Sequence, residues 1–153
     1  MKSASEWFEL YSRTHQNTIN RRIHKICVPL IYASVLALLW TIPRPGGLEN
    51  YGFLNWATFA LFFLFLFYLR LGLIYFMQMM IFSLIILGVI MVAEALGLPL
   101  AWISLAVFVL AWIGQFYGHK REGKSPAFFA DLAFLLIGPL WIINGHAGSR
   151  TVK

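Results

Sequence analysis

The sequence predicts an all-α, polytopic membrane bundle, and three observations carry that reading. Hydrophobic residues make up 60% of the 153 and aromatic residues 17%, while only 12% are charged; a soluble domain is about 45–50% apolar and about 25% charged. The apolar residues come in long runs, near the roughly 20 residues a helix needs to cross a bilayer. The net charge of +6 lies mostly in short polar breaks between those runs, where Lys and Arg set topology rather than bind nucleic acid. The expected architecture is a single membrane domain over residues 1–153. It comprises an N-terminal amphipathic helix, four full spans, and a C-terminal segment that is either re-entrant or a fifth crossing.

The elements follow in chain order. Residues 3–14 read "SASEWFELYSRT"; Trp7, Phe8 and Tyr11 gather on one helical face, which suits a helix lying in the membrane interface. The first span covers about Ile26–Ile42 and stops at "PRPGG", since proline and glycine together end helices. The second covers about Phe53–Leu69, with a tight turn at Arg70 and Gly72. The third covers about Leu73–Leu96 and ends at "GLP"; the fourth covers about Leu100–Tyr117. After the polar stretch "GHKREGKSP" a last apolar run, Ala127–Asn144, is interrupted by Gly138-Pro139. Proline removes a helix hydrogen bond and clashes with the previous turn, so the run is expected to kink or fold back there. No cleavable signal peptide is expected, because the first 25 residues lack a separate short apolar region and cleavage site. The single cysteine, Cys27, excludes an internal disulfide and a multi-cysteine metal site.

Positive residues favour the cytoplasmic side. Arg13, Arg21, Arg22 and Lys25 put the N-terminus inside, and counting spans returns Arg70 and the island of Lys120, Arg121 and Lys124 to the same side. His15, His24 and His119 then share the cytoplasmic face. His146 joins them only if the last run folds back, which would also keep Arg150 and Lys153 inside.

These are the chain's four histidines. Neutral imidazole ligates iron, zinc and copper, so a metal site is one reading and four separate interfacial histidines another. His15 and His24 lie nine residues apart; on one continuous helix they would face opposite ways. They converge only if the chain turns between them, and "QNT" supplies asparagine for a turn or cap. Asn17 and Asn20 could then hold a ligand histidine by hydrogen bonds from outside the metal's own shell.

Two stretches carry a resemblance. "HQNTINRRIHKICVP" resembles an H-x-N-x-x-N-x-x-x-H-x-x-x-x-P signature, and "WIGQFYGHKREGKSPA" resembles a W-x-x-Q-F-x-G-H…E-x-x-x-P-A signature. Together, in this order and among apolar spans, they are similar to the membrane 2-hydroxy fatty acid dioxygenases of fatty-acid α-oxidation. The likeness runs from about Tyr11 to Pro139. It implies Fe(II) held by histidines, with His15, His24 and His119 as ligands and His146, in "INGHAG", as a fourth. It implies a 2-hydroxy fatty acid and O2 as substrates, a shortened acid and CO2 as products, and membrane lipid as surroundings, in a bacterial inner membrane or the endoplasmic reticulum. In the family's signature the glutamate falls four residues after its histidine. Here Glu122 follows His119 by three, and both spacings share a helix face.

The remaining polar residues each have two readings. Glu122 orients a histidine or acts as a base, or else pairs with Lys120 or Lys124 at the surface. Asp131, a carboxylate in an apolar run, is costly there and often functional, as a histidine partner. Gln115, one turn before His119, faces the same side toward substrate or a ligand. Arg21, Arg22, Arg121 and Lys124 attract a fatty carboxylate or contact lipid phosphate. Two rival functions stand beside the dioxygenase: a haem-binding electron carrier and a non-enzymatic transporter or scaffold. A di-iron hydroxylase requires more histidines than the four present.

Overall fold

The computed structural model describes residues 2–44, 46, 51–123 and 133–144. Among these the chain forms six helices and no strand: α1 (Ala4–Arg13), α2 (Thr18–Thr41), α3 (Trp56–Leu71), α4 (Leu73–Ala95), α5 (Leu100–Glu122) and α6 (Ala133–Asn144). The helices α2, α4 and α5, of 24, 23 and 23 residues, are long and apolar enough to cross a membrane. Large apolar side chains such as Ile85, Val89, Trp102 and Leu110 stand exposed on α4 and α5. Apolar surface of that extent calls for an apolar surrounding rather than water.

Two of the expected segments differ from the sequence reading, one in where it starts and ends and the other in not turning back on itself. The second span, read as Phe53–Leu69, is the 16-residue helix α3, which rises about 24 Å against a hydrocarbon core of about 30 Å. Its start is set by Asn55, whose side chain accepts from the Ala57 and Thr58 amides at 3.0 and 3.1 Å; Phe53 and Leu54 precede that cap. The hairpin expected at Gly138-Pro139 is not formed, because both residues lie inside α6. Gly138 serves packing rather than a turn: a Cβ there would stand 3.1 Å from the Tyr11 hydroxyl and 3.2 Å from Val28.

The chain packs as two compact units. One is Leu30–Val109, where Leu36, Ala37, Trp40, Ala57, Leu61 and Ile90 form the core. Several of its polar groups pair within the apolar interior. Tyr32 meets Ser83 at 2.7 Å, and the Trp40 indole donates to Glu94 at 3.0 Å. The chain reverses between α3 and α4, so Phe65 packs on Phe76 and Ala57 and Leu61 share a core with Ile90. The reversal occurs at Gly72 alone, with φ 140° and ψ 151°, a region essentially reserved for glycine.

The other unit is Met1–Pro29 with Leu110–Lys153. Ser3 caps α1 in a reciprocal pair with Glu6, satisfying two amides that a helix start leaves open. The apolar stripe of α1, read from sequence as facing the membrane interface, is covered by α6. Trp7 stands edge-on to Phe134 at 5.3 Å, Tyr11 lies 5.0 Å from Trp141, and the Trp141 indole donates to Ser12 at 2.9 Å.

Gly72→Val is expected to lower stability by about 1–3 kcal/mol, read as a reduced thermal midpoint in detergent. Gly88→Ala, in a helix with open space around it, should leave the midpoint unchanged or raise it. Equal effects at both positions would show that the Gly72 backbone is not strained by a side chain.

Candidate metal centre

Three histidines meet in the unit formed by Met1–Pro29 and Leu110–Lys153. His15 lies between α1 and α2, His24 is in α2 and His119 in α5, and they are only 3%, 1% and 4% exposed. One ring nitrogen from each falls within 4.8 Å of the others. The break that the convergence needs is present: α1 ends at Arg13 and α2 begins at Thr18.

Hydrogen bonds fix two of the rings. His15 Nδ1 lies 2.7 Å from the Tyr11 carbonyl and His24 Nδ1 lies 3.0 Å from the Asn20 carbonyl. A carbonyl only accepts, so each Nδ1 carries the proton and each Nε2 presents a lone pair. His15 Nε2 is buried without a partner. His24 Nε2 faces His119 Nε2 at 3.1 Å, and His119 Nδ1 is also buried without a partner. A hydrogen bond between the two Nε2 atoms would satisfy that pair but leave His15 Nε2 unmet, at a cost of about 1–3 kcal/mol for such a group. A metal ion would take one ring nitrogen from each histidine, His15 Nε2 included. Two nitrogens at about 2.0–2.1 Å from one ion, the usual distance for zinc, and at a right angle to each other stand about 3 Å apart. The donor set therefore fits a metal. It does not fit haem between His24 and His119, since a macrocycle cannot pass between nitrogens at that separation.

The surroundings keep the rings neutral. Tyr11 lies flat against His15 at 4.1 Å and 1°, and Trp141 lies 5.7 Å away. Burial is the main cause that lowers the His15 pKa from 6.5 to about 4, against the opposing hydrogen bond to Tyr11. The neutral imidazole is the form that binds metal.

A carboxylate ties the turn to α5. Glu122 accepts from the Gln16 and Asn17 amides at 2.8 Å each and from Asn20 Nδ2 at 3.1 Å. Asn17 Oδ1 in turn accepts from the Ile19 and Asn20 amides at 2.9 and 3.3 Å, closing the start of α2. Asn20 is fully buried, and a Cβ at Gly118 would stand 2.5 Å from its Oδ1. One turn earlier, a Cβ at Gly114 would stand 2.7 Å from Cys27 Sγ. The pair Gly114 and Gly118 is a G-x-x-x-G spacing, which lets helix backbones approach closely, and it sets His119 against His24.

The structure thus brings together His15, His24, His119, Asn17, Asn20 and Glu122, with Gln115 buried beside the His24 ring. It does not bring Arg22 or Arg121 to the rings: both are exposed, and Arg121 lies over Tyr117 at 5.7 Å. Lys124, Asp131 and His146 lie outside the described residues. Sequence reasoning missed Gly114 and Gly118, although their spacing is visible in "GQFYGH", and it placed Tyr11 in a membrane-facing stripe rather than on a histidine.

Three helices of spanning length point to membrane association, and the buried three-histidine cluster could hold a metal ion. The chain belongs to the family described as 2-hydroxy-palmitic acid dioxygenase Mpo1-like, which matches residues 1–149. No curated protein and no solved structure matches it.

Glu122→Ala is expected to weaken divalent-metal binding about 10–100-fold and to lower stability by about 1–3 kcal/mol, read by metal titration and thermal unfolding. Loss of turnover with metal affinity and stability intact would instead make Glu122 a base. A pH series adds an independent check. Because the folded state holds His15 below its ordinary value, the unfolded chain binds the extra proton as pH falls. The metal-free protein should be fully stabilised by this group above about pH 6.5 and lose that contribution toward pH 4. His15→Gln should flatten this part of the curve; an unchanged curve would mean that the ring is not buried neutral.

Proposed function

We propose that this protein is an Fe(II)-dependent dioxygenase that shortens 2-hydroxy fatty acids by one carbon. The observation that carries the reading is the buried cluster of one ring nitrogen each from His15, His24 and His119 within 4.8 Å, in a chain whose family name is that of a 2-hydroxy-palmitic acid dioxygenase. The overall change is balanced without a further reductant. A 2-hydroxy acid and O2 give the acid one carbon shorter, CO2 and water. The C1–C2 bond breaks, and four electrons pass from the substrate to O2.

The bound ferrous ion would supply O2 activation and Lewis acidity toward the substrate's carboxylate and hydroxyl oxygens. Around it the chain's own residues divide the work. Tyr11 and Trp141 wall the His15 ring and exclude water. The Tyr11 and Asn20 carbonyls hold two imidazoles in the ligand tautomer. Glu122, Asn17 and Asn20 position the turn, and Gln115 borders the His24 ring toward substrate. His146 is proposed as a fourth ligand and Asp131 as a histidine partner. The acyl tail lies among apolar helices in the bilayer, with α3 completing a set of four spans. The positive residues Arg13, Arg21, Arg22, Lys25, Lys120 and Arg121 border the histidines in sequence, which favours the cytoplasmic face.

Purified protein reconstituted with Fe(II) is expected to consume O2 with 2-hydroxypalmitate, releasing CO2 and pentadecanoate in equal amounts, and to ignore palmitate. Alanine at His15, His24 or His119 should abolish turnover and reduce bound iron. Iron-loaded protein without O2 uptake would overturn the reading, and full iron with full turnover in any one variant would remove that histidine from the ligand set.

A further inference from the structure

Among the described residues, Arg21 is the arginine that the structure sets beside the histidines. It lies in α2 three residues before His24, so the two directions differ by about 60° around the helix. Its guanidinium is half-buried and lies over the Trp141 ring, 5.9 Å from the centroid. Trp141 is the same ring that stands 5.7 Å from His15.

Among the described residues this charge has no carboxylate partner. Glu6 is engaged by Ser3, Glu9 by Arg13 at 2.8 Å, and Glu122 by Gln16, Asn17 and Asn20. Glu94 belongs to the other unit, where it accepts from Trp40. Cation–π contact fixes where a guanidinium sits, while its N–H donors form a planar fork matched to a carboxylate. Among the described residues Arg21 therefore has a place on the Trp141 ring, no carboxylate partner and no hydrogen-bond acceptor, next to the centre where the substrate's carboxyl end must arrive.

We propose that Arg21, steadied on Trp141, binds the carboxylate of the fatty acid substrate and so selects free acids over neutral lipids. Arg22 and Arg121, exposed on the surface, do not take this role. The inference rests on the 2-hydroxy acid reading of the site and names the group that recognises its acid end.

The test uses full-length, metal-free protein in detergent and two water-soluble probes of equal chain length, octanoate and octan-1-ol, titrated by calorimetry. The wild type is expected to prefer octanoate. Arg21→Gln should weaken octanoate binding about 10–100-fold, the range for a charge-assisted hydrogen bond, and leave octan-1-ol binding unchanged. Arg21→Met keeps the apolar stem on Trp141 and gives the same reading if the Gln variant does not fold. Wild-type affinity for octanoate in a folded variant would overturn the proposal. So would a variant that loses affinity only for glycerol phosphate, which would make Arg21 a lipid-headgroup contact. Because no metal or turnover enters the titration, an Arg21-dependent octanoate site in a protein that consumes no O2 would uphold the anion subsite while rejecting the reaction.

Discussion

At Gly118, α5 lies so close to α2 that an added Cβ would stand 2.5 Å from Asn20 Oδ1, and the histidine cluster depends on that approach. Asn20 Oδ1 occupies the space a Cβ would take. That contact fixes the depth of α5 against α2, and the next residue, His119, then reaches His24 at 3.1 Å. One turn further on, Glu122 reaches back to Asn20 and to the amides of Gln16 and Asn17. The same pair of helices therefore sets two ligands directly and the third through the turn that carries His15. A bulkier residue at Gly118 would displace all three rings together rather than one.

The histidines are held in a setting that suits a metal and little else. Their Nδ1 protons go to carbonyls in two of the three rings, and aromatic surface covers His15. Burying an imidazole nitrogen with no partner is unfavourable, so the cluster is stabilised by whatever supplies an electrophile to it. A proton is a poor candidate at neutral pH because the same burial lowers the His15 pKa. A metal cation, held by several lone pairs at once, offsets the burial where one proton cannot.

Much of this was legible in the sequence. The helical class follows from run length, which predicted four full spans where three helices of spanning length are present among the described residues, and the break between His15 and His24 follows from the angle that nine residues subtend on a helix. The two polar motifs could be paired only through their likeness to a known family, because no local pattern tells "HQNTINRRIH" that it will meet "GQFYGHKRE". The start of α3 was not legible, because an asparagine cap delays it past two apolar residues. Gly138-Pro139 misled for a related reason: a glycine that admits Tyr11 and Val28 reads the same as one that turns a chain. Arg21 and Arg22 are adjacent and chemically equal in sequence, and only the position of Trp141 separates them.

The central claim is that imidazoles from His15, His24 and His119 converge on one metal ion. X-ray absorption at the iron edge of the Fe(II)-reconstituted protein tests it most directly, because imidazole rings give a distinctive outer-shell scattering. The account predicts a nitrogen and oxygen shell with scattering from at least three imidazoles and no sulfur, falling by one ring in His119→Ala. A folded protein that takes up no iron with all three histidines intact, or an iron edge without imidazole scattering, would contradict it.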